Sequence, residues 1–200
     1  MAAIETLRIR DFMHLTRRAG GLFETDKVRN ILLSHLGEIT FEELKTPFAC
    51  VAVDMREQKI AEFKTGSVLD AVVASSAIPG VFKPTEKDGM RLVDGGVLER
   101  VPASLVKDMG ADKVVAVDVL GRLECSKDCP NTLGMLLQVI DVMDNHRTAR
   151  RREENRDIID LWLEPALGDM NPYSLKQIRF AFDEGYKTGL NAAESINALL

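Results

Sequence analysis

The chain has 200 residues, enough for one domain with a substantial core. Hydrophobic residues at 46 % and charged residues at 28 % are ordinary globular values, and the net charge of −5 excludes the basic surface that nucleic-acid binding requires. Three cysteines, Cys50, Cys125 and Cys129, make no disulfide framework and no zinc spacing, which places the chain in a reducing, cytoplasmic compartment.

The N-terminus mixes charge into its apolar residues and is not a signal peptide, and no apolar run reaches the length of a membrane span. Ile4 to Arg18 reads as irregular or weakly helical. Thr25 or Asp26 then caps a helix to Leu36, with Val28, Ile31, Leu32 and Leu36 on one face and Gly37 as its stop. A short helix from Thr40 ends before Pro47. Phe48 to Val53 has the continuous apolar pattern of a strand buried on both faces, closed by Asp54. Lys59 to Lys64 is a more exposed strand, and Gly66-Ser67 opens a helix that ends near Ser75. Small residues and a Pro-Gly turn follow, Ala74-Ser75-Ser76-Ala77-Ile78-Pro79-Gly80.

Val81 to Glu86 and Met90 to Val93 flank the hairpin-type turn Lys87-Asp88-Gly89, which delivers the chain into Asp94-Gly95-Gly96. A carboxylate at a strand's end, followed by backbone free to bend sharply, is where an α/β protein places a ligand-facing group. The plainer reading is that Asp94 caps a turn, since Asp-Gly is a common turn dipeptide. Pro102 starts a helix, Ala103 to Met109, stopped by Gly110. Lys113 to Val119 is the clearest buried strand, and strand–helix–strand in this order predicts a parallel crossover. On this reading Phe48–Val53 and Lys113–Val119 are neighbours in one sheet. Gly121 to Asn131 is a loop. A long helix begins at Thr132, with Leu133, Leu136, Leu137, Ile140 and Met143 at helical spacing, and runs into the charged stretch Asn145 to Glu154. That stretch is either a solvated face of local ion pairs or a basic strip touching anionic headgroups. Asp157 to Leu163 is a strand, Pro165 to Pro172 a loop, and Leu175–Phe182 and Glu184–Leu200 are closing helices.

Taken together, Thr46 to Asp54, Asp70 to Phe82, Val93 to Val97 with Val101-Pro102, Gly110 to Asp118 and Gly185-Tyr186 resemble, in order, segments of the patatin-like phospholipases, a family of lipid acyl hydrolases. The resemblance spans essentially all 200 residues. It implies a three-layer α/β/α fold with a mainly parallel central sheet, and a Ser–Asp dyad. In the family a serine on a strand-to-helix elbow attacks an acyl ester, and the aspartate of the Asp-Gly-Gly motif is the general base. Asp94 matches that base, with Gly95 and Gly96 shaping the motif.

The elbow pattern G-x-S-x-G surrounds none of the eight serines, and no G-x-G oxyanion loop occurs. Ser75 and Ser76 lie in a segment that is structural in the family, Ser104 has no motif, and neither do His14, His35 and His146. The resemblance therefore implies one domain over 1–200 that lacks the family's N-terminal part and carries the base without the nucleophile. Its implied partners are a lipid or phospholipid ester and a membrane met peripherally. No cofactor, no metal and no nucleic acid are expected. Self-association through an exposed sheet edge is a further expectation. A non-catalytic scaffolding module of the same fold is the alternative; a nucleotide-binding domain has no glycine fingerprint to support it.

Overall fold

The structure, a computed structural model, describes residues 21–23, 25–120, 132–168, 170 and 177–200. It divides into two compact units at Glu99/Arg100. The expectations for Ile4–Arg18, His14, Cys125, Cys129 and the 121–131 loop lie outside the described residues.

In the first unit, β1 (Gly21–Phe23) precedes α1 (Asp26–Leu36), which stops at Gly37 with φ 68°, a conformation glycine adopts without cost. Thr40 and Glu43 form a reciprocal capping box around the 3₁₀ turn Phe41–Glu43. The strands β2 (Cys50–Asp54), β3 (Lys59–Phe63), β5 (Thr85–Lys87) and β6 (Met90–Asp94) form one antiparallel sheet in the order β3-β2-β6-β5. The turns from β2 to β3 and from β5 to β6 are too short for anything else. Only 55–58 join β2 to β3, and Asp88-Gly89, both with positive φ, join β5 to β6 as in a primed hairpin turn.

Helix α2 (Val68–Ser75) is capped by the Ser67 hydroxyl, which accepts from the Asp70 N–H at 3.2 Å. It covers this sheet. Ala74 meets Ala52 and Leu92 in one fully buried cluster, while Ala71 and Val68 pack with Phe41 in a second. Burial stabilises by about 25 cal/mol per Å², so these small, closely packed residues hold the sheet and helix in register. The expected strand Val81 to Glu86 is interrupted at Pro84, which has no N–H for a ladder. Its first part, β4 (Gly80–Phe82), pairs in parallel with β1, and its second part is β5.

In the second unit, α3 (Ala103–Asp108) leads to β7 (Val115–Val117), which pairs in parallel with β8 (Leu161–Leu163). Between them runs α4 (Thr132–Glu154), and α5 (Ile178–Asn191) and α6 (Ala193–Asn197) end the chain. Asp160 ties β8 to the start of β7, accepting from the Val114 N–H at 2.9 Å and from Lys113 Nζ at 2.8 Å.

The α/β class stands, but two expectations about its strands do not. Phe48–Val53 and Lys113–Val119 are not paired: β2 bonds β3 and β6, and β7 bonds β8. Parallel pairing among the described residues is confined to the two-stranded sheets. Lys113–Val119, expected as the clearest buried strand, is buried on one face alone. Val114, Ala116 and Asp118 are buried and Val115, Val117 and Val119 lie on the open side, because alternate residues of a strand point to opposite faces. The closing helices break at Ala192 rather than at Asp183.

Candidate functional site

Three of the apolar strand runs end on an aspartate: Asp54 at β2, Asp94 at β6 and Asp118 just after β7. Their surroundings set them different tasks. Asp54 is buried, and its Oδ1 accepts the N–H of Arg56 at 3.0 Å and of Arg91 at 3.1 Å. Those backbone donors, Arg56 first, hold its carboxyl below the ordinary aspartate range against the opposing effect of burial. It closes the β2–β3 turn and is structural.

Asp118 is also buried. Its Oδ2 accepts from Arg100 Nη2 at 2.8 Å, and its Oδ1 from the Leu120 N–H at 3.2 Å. The Arg100 guanidinium, buried in turn, reaches Asp144 Oδ2 at 2.6 Å and Asn145 Oδ1 at 3.1 Å through its other terminal nitrogen. One cation thus bridges the strand end and α4. Asp141, a turn before Asp144, is pushed up by burial and by Asp144, against the pull of Arg100.

Asp94 is the half-buried member of the three. The antiparallel pairing of β6 with β2 sets Asp94 across from Ala52. Its N–H donates to the Ala77 carbonyl at 2.9 Å, which joins the Asp-Gly-Gly turn to the small-residue segment after α2. Ala77 itself is fully buried, so a larger residue there would push the two apart. Asp94 Oδ1 accepts the Gly96 N–H at 2.7 Å and caps the 3₁₀ turn Gly95–Val97. The turn-capping role read from Asp-Gly is therefore real, and it fixes where the carboxylate sits.

The two glycines have separate reasons. A Cβ at Gly95 would lie 2.4 Å from the Val51 carbonyl oxygen and 2.7 Å from Val51 Cγ2, so only glycine lets the turn rest on β2. A Cβ at Gly96 would stand 3.1 Å from Asp94 Oδ1 and crowd the cap.

Ser75 is the last residue of α2 and Ser76 its C-cap, while Ser104 is in α3. Among the described residues, no group of three His, Cys, Asp or Glu is arranged to hold a metal ion. The Arg100 cluster went unread in the sequence; its one signal was an aspartate closing the Lys113–Val117 run, as Asp54 closes β2.

An α/β domain whose glycine-shaped turn presents a strand-end carboxylate is the class that fold and site define. The family model for patatin-like phospholipases matches residues 4–107, and the chain belongs to that family. It is 35 % identical over 103 residues to uncharacterised NTE family proteins of Mycobacterium bovis and Mycobacterium tuberculosis, a match covering 52 % of this chain and 29 % of theirs. It is also 36 % identical over 80 residues to the human patatin-like phospholipase domain-containing protein 6, covering 39 % of this chain and 6 % of that protein. The chain therefore spans less than a third of the length of these relatives.

Proposed function

We propose that the chain is part of a lipid acyl hydrolase and that Asp94 is its general base. Family membership supports lipid ester chemistry in general. The single observation that carries the residue assignment is the turn at Asp94, whose carboxylate is held by the Gly96 N–H on backbone that only glycine permits. A serine hydroxyl is a weak nucleophile until an adjacent base takes its proton. A carboxylate held at a strand's end by its own turn needs little reorganisation to do so.

The nucleophile is assigned to no residue of the 200. On this reading it comes from the family's G-x-S-x-G elbow, and a fluorophosphonate probe leaves every serine of the isolated chain unlabelled. Stoichiometric labelling, located by mass spectrometry, would show the nucleophile to be misplaced. The decisive experiment fuses the chain behind an upstream segment bearing that elbow and compares it with its Asp94→Asn variant on a short-chain ester. A positioned base contributes about 10²–10⁴-fold, so turnover falls by that factor while the circular dichroism spectrum is retained. Near-full turnover in the variant would refute the assignment and favour the scaffolding alternative.

A further inference from the structure

Strand β6 outruns its neighbour. β5 begins at Thr85, opposite Leu92, so Val93 and Asp94 lie beyond it on that edge. Residues that would continue β5 are not available, because the chain before Pro84 is β4, paired with β1. On the other edge β2 sets Ala52 opposite Asp94. The ladder bonds of a strand alternate between its two edges. The Asp94 N–H points away from β2, toward the edge that β5 has left open. There the Ala77 carbonyl accepts it at 2.9 Å and supplies the last rung of β6.

That carbonyl is held from both directions. Upstream, the last turn of α2 closes on it: the Ser76 N–H donates to the Val72 carbonyl at 3.0 Å and the Ala77 N–H to the Ala74 carbonyl at 3.2 Å. Downstream, the Ile78 carbonyl accepts the N–H groups of Val81 at 3.1 Å and Phe82 at 2.9 Å, and Pro79 narrows the backbone freedom of Ile78. Ala77 itself is 0 % exposed, so a bulkier side chain has to move backbone. The two alanines of the segment divide the work. Ala74 packs against Ala52 and Leu92, whereas Ala77 meets Asp94. Asp94 therefore has two separate supports. The Gly96 N–H orients its carboxylate, and Ala77 places its backbone.

We propose that Ala77 is a positioning residue for the general base. It takes no part in the reaction, and it fixes how far the carboxylate stands from an incoming hydroxyl. The proposal rests on the Asp94 reading above. Misplacing a catalytic group by about 1 Å can cost roughly 10²-fold in rate.

The test compares Ala77→Val, Ala77→Gly and Ala71→Val in the elbow-bearing form, on the same short-chain ester. Ala71 is equally buried on the same helix but packs with Phe41 and Val68, away from Asp94. Ala77→Val should lower kcat by about 10²-fold with KM unchanged. Ala71→Val should lower Tm to a similar extent and keep the parent's kcat. Ala77→Gly, which adds no bulk, should turn over far faster than Ala77→Val. In the 200-residue chain, amide exchange at Asp94 should accelerate in Ala77→Val and not in Ala71→Val.

An ester in place of the Val93–Asp94 peptide bond, introduced by semisynthesis, removes that N–H without overpacking, and decides the matter if Ala77→Val does not fold. It should lower kcat as well. The parent's kcat in the ester analogue or in folded Ala77→Val overturns the proposal, and so does an equal loss in Ala71→Val. If Asp94→Asn kept full turnover, the general-base reading would fall and this one with it. If Asp94→Asn lost turnover while Ala77→Val and the ester analogue kept theirs, this inference alone would fall.

Discussion

Gly95 rests directly on the Val51 carbonyl: a side-chain carbon at 95 would lie 2.4 Å from that oxygen. The contact is to backbone of a strand held on both sides by β3 and β6, so neither partner can give way. Gly95→Ala is expected to cost roughly 3 kcal/mol, the upper part of the range for overpacking a well-packed site. For a chain of this size that lowers Tm by about 6–12 °C. Differential scanning calorimetry checks it, and a loss under 2 °C would mean that the turn can shift away from β2. Gly96→Ala meets only the Asp94 carboxylate oxygen, at 3.1 Å, and should cost less in stability than in activity of the elbow-bearing form.

Arg100 binds two buried or nearly buried carboxylates, Asp118 at 2.8 Å and Asp144 at 2.6 Å, and removing it takes away the cation that joins them. Arg100→Met is expected to destabilise by about 3–5 kcal/mol, read from the urea midpoint. The penalty should shrink when Asp118→Asn is added, because much of it is the uncompensated charge rather than the lost bonds. A double variant as unstable as the sum of the two single ones would reject that cause.

Acid should loosen the fold through the first unit. Asp54 is held low by the N–H groups of Arg56 and Arg91. Burial pushes Asp70 up, but Arg29 and Lys87 outweigh it, so Asp70 is low as well. A carboxyl lowered on folding contributes stability that is complete above its unfolded value and lost as pH falls through the folded one. Tm should therefore decline below about pH 4. Asp54→Asn should be less stable than the parent at pH 6, with the difference shrinking as pH falls below about 4. Asp141 is raised, with the opposite sign: its charged form costs stability at neutral pH, so Asp141→Asn should raise Tm slightly at pH 7 and not below about pH 4. Parallel Tm–pH curves for parent and variants would contradict these assignments.

Much of the first unit was legible because its signals are local. Ser67 at an N-cap, Gly37 after Leu36 and Asp88-Gly89 between strands each act within a few residues, and each element lies where those signals put it. Even the Asp94 turn could be read, since the Asp-Gly-Gly run carries both its cap and its close approach. Partner choice could not. A run such as Lys113–Val119 specifies an extended backbone and leaves open which strand lies beside it, because hydrogen-bond ladders are made by backbone groups common to every residue. Pro84 illustrates the converse: one missing N–H moved half of an apparent strand into another sheet.

By itself the sequence determined the α/β alternation, the family resemblance and the position of the carboxylate at the end of β6, all properties of order along the chain. Only the tertiary structure decided which of three strand-end aspartates is buried, which is bridged by an arginine and which lies on a glycine-shaped turn. It also decided that the apolar stripe of α4, with Leu136, Ile140 and Met143, faces outward. Periodicity sets which residues share a side of a helix, but the side that turns inward is chosen by what waits there. For α4 that is Arg100, a buried cation whose need for carboxylates outweighs the ordinary preference for apolar contact.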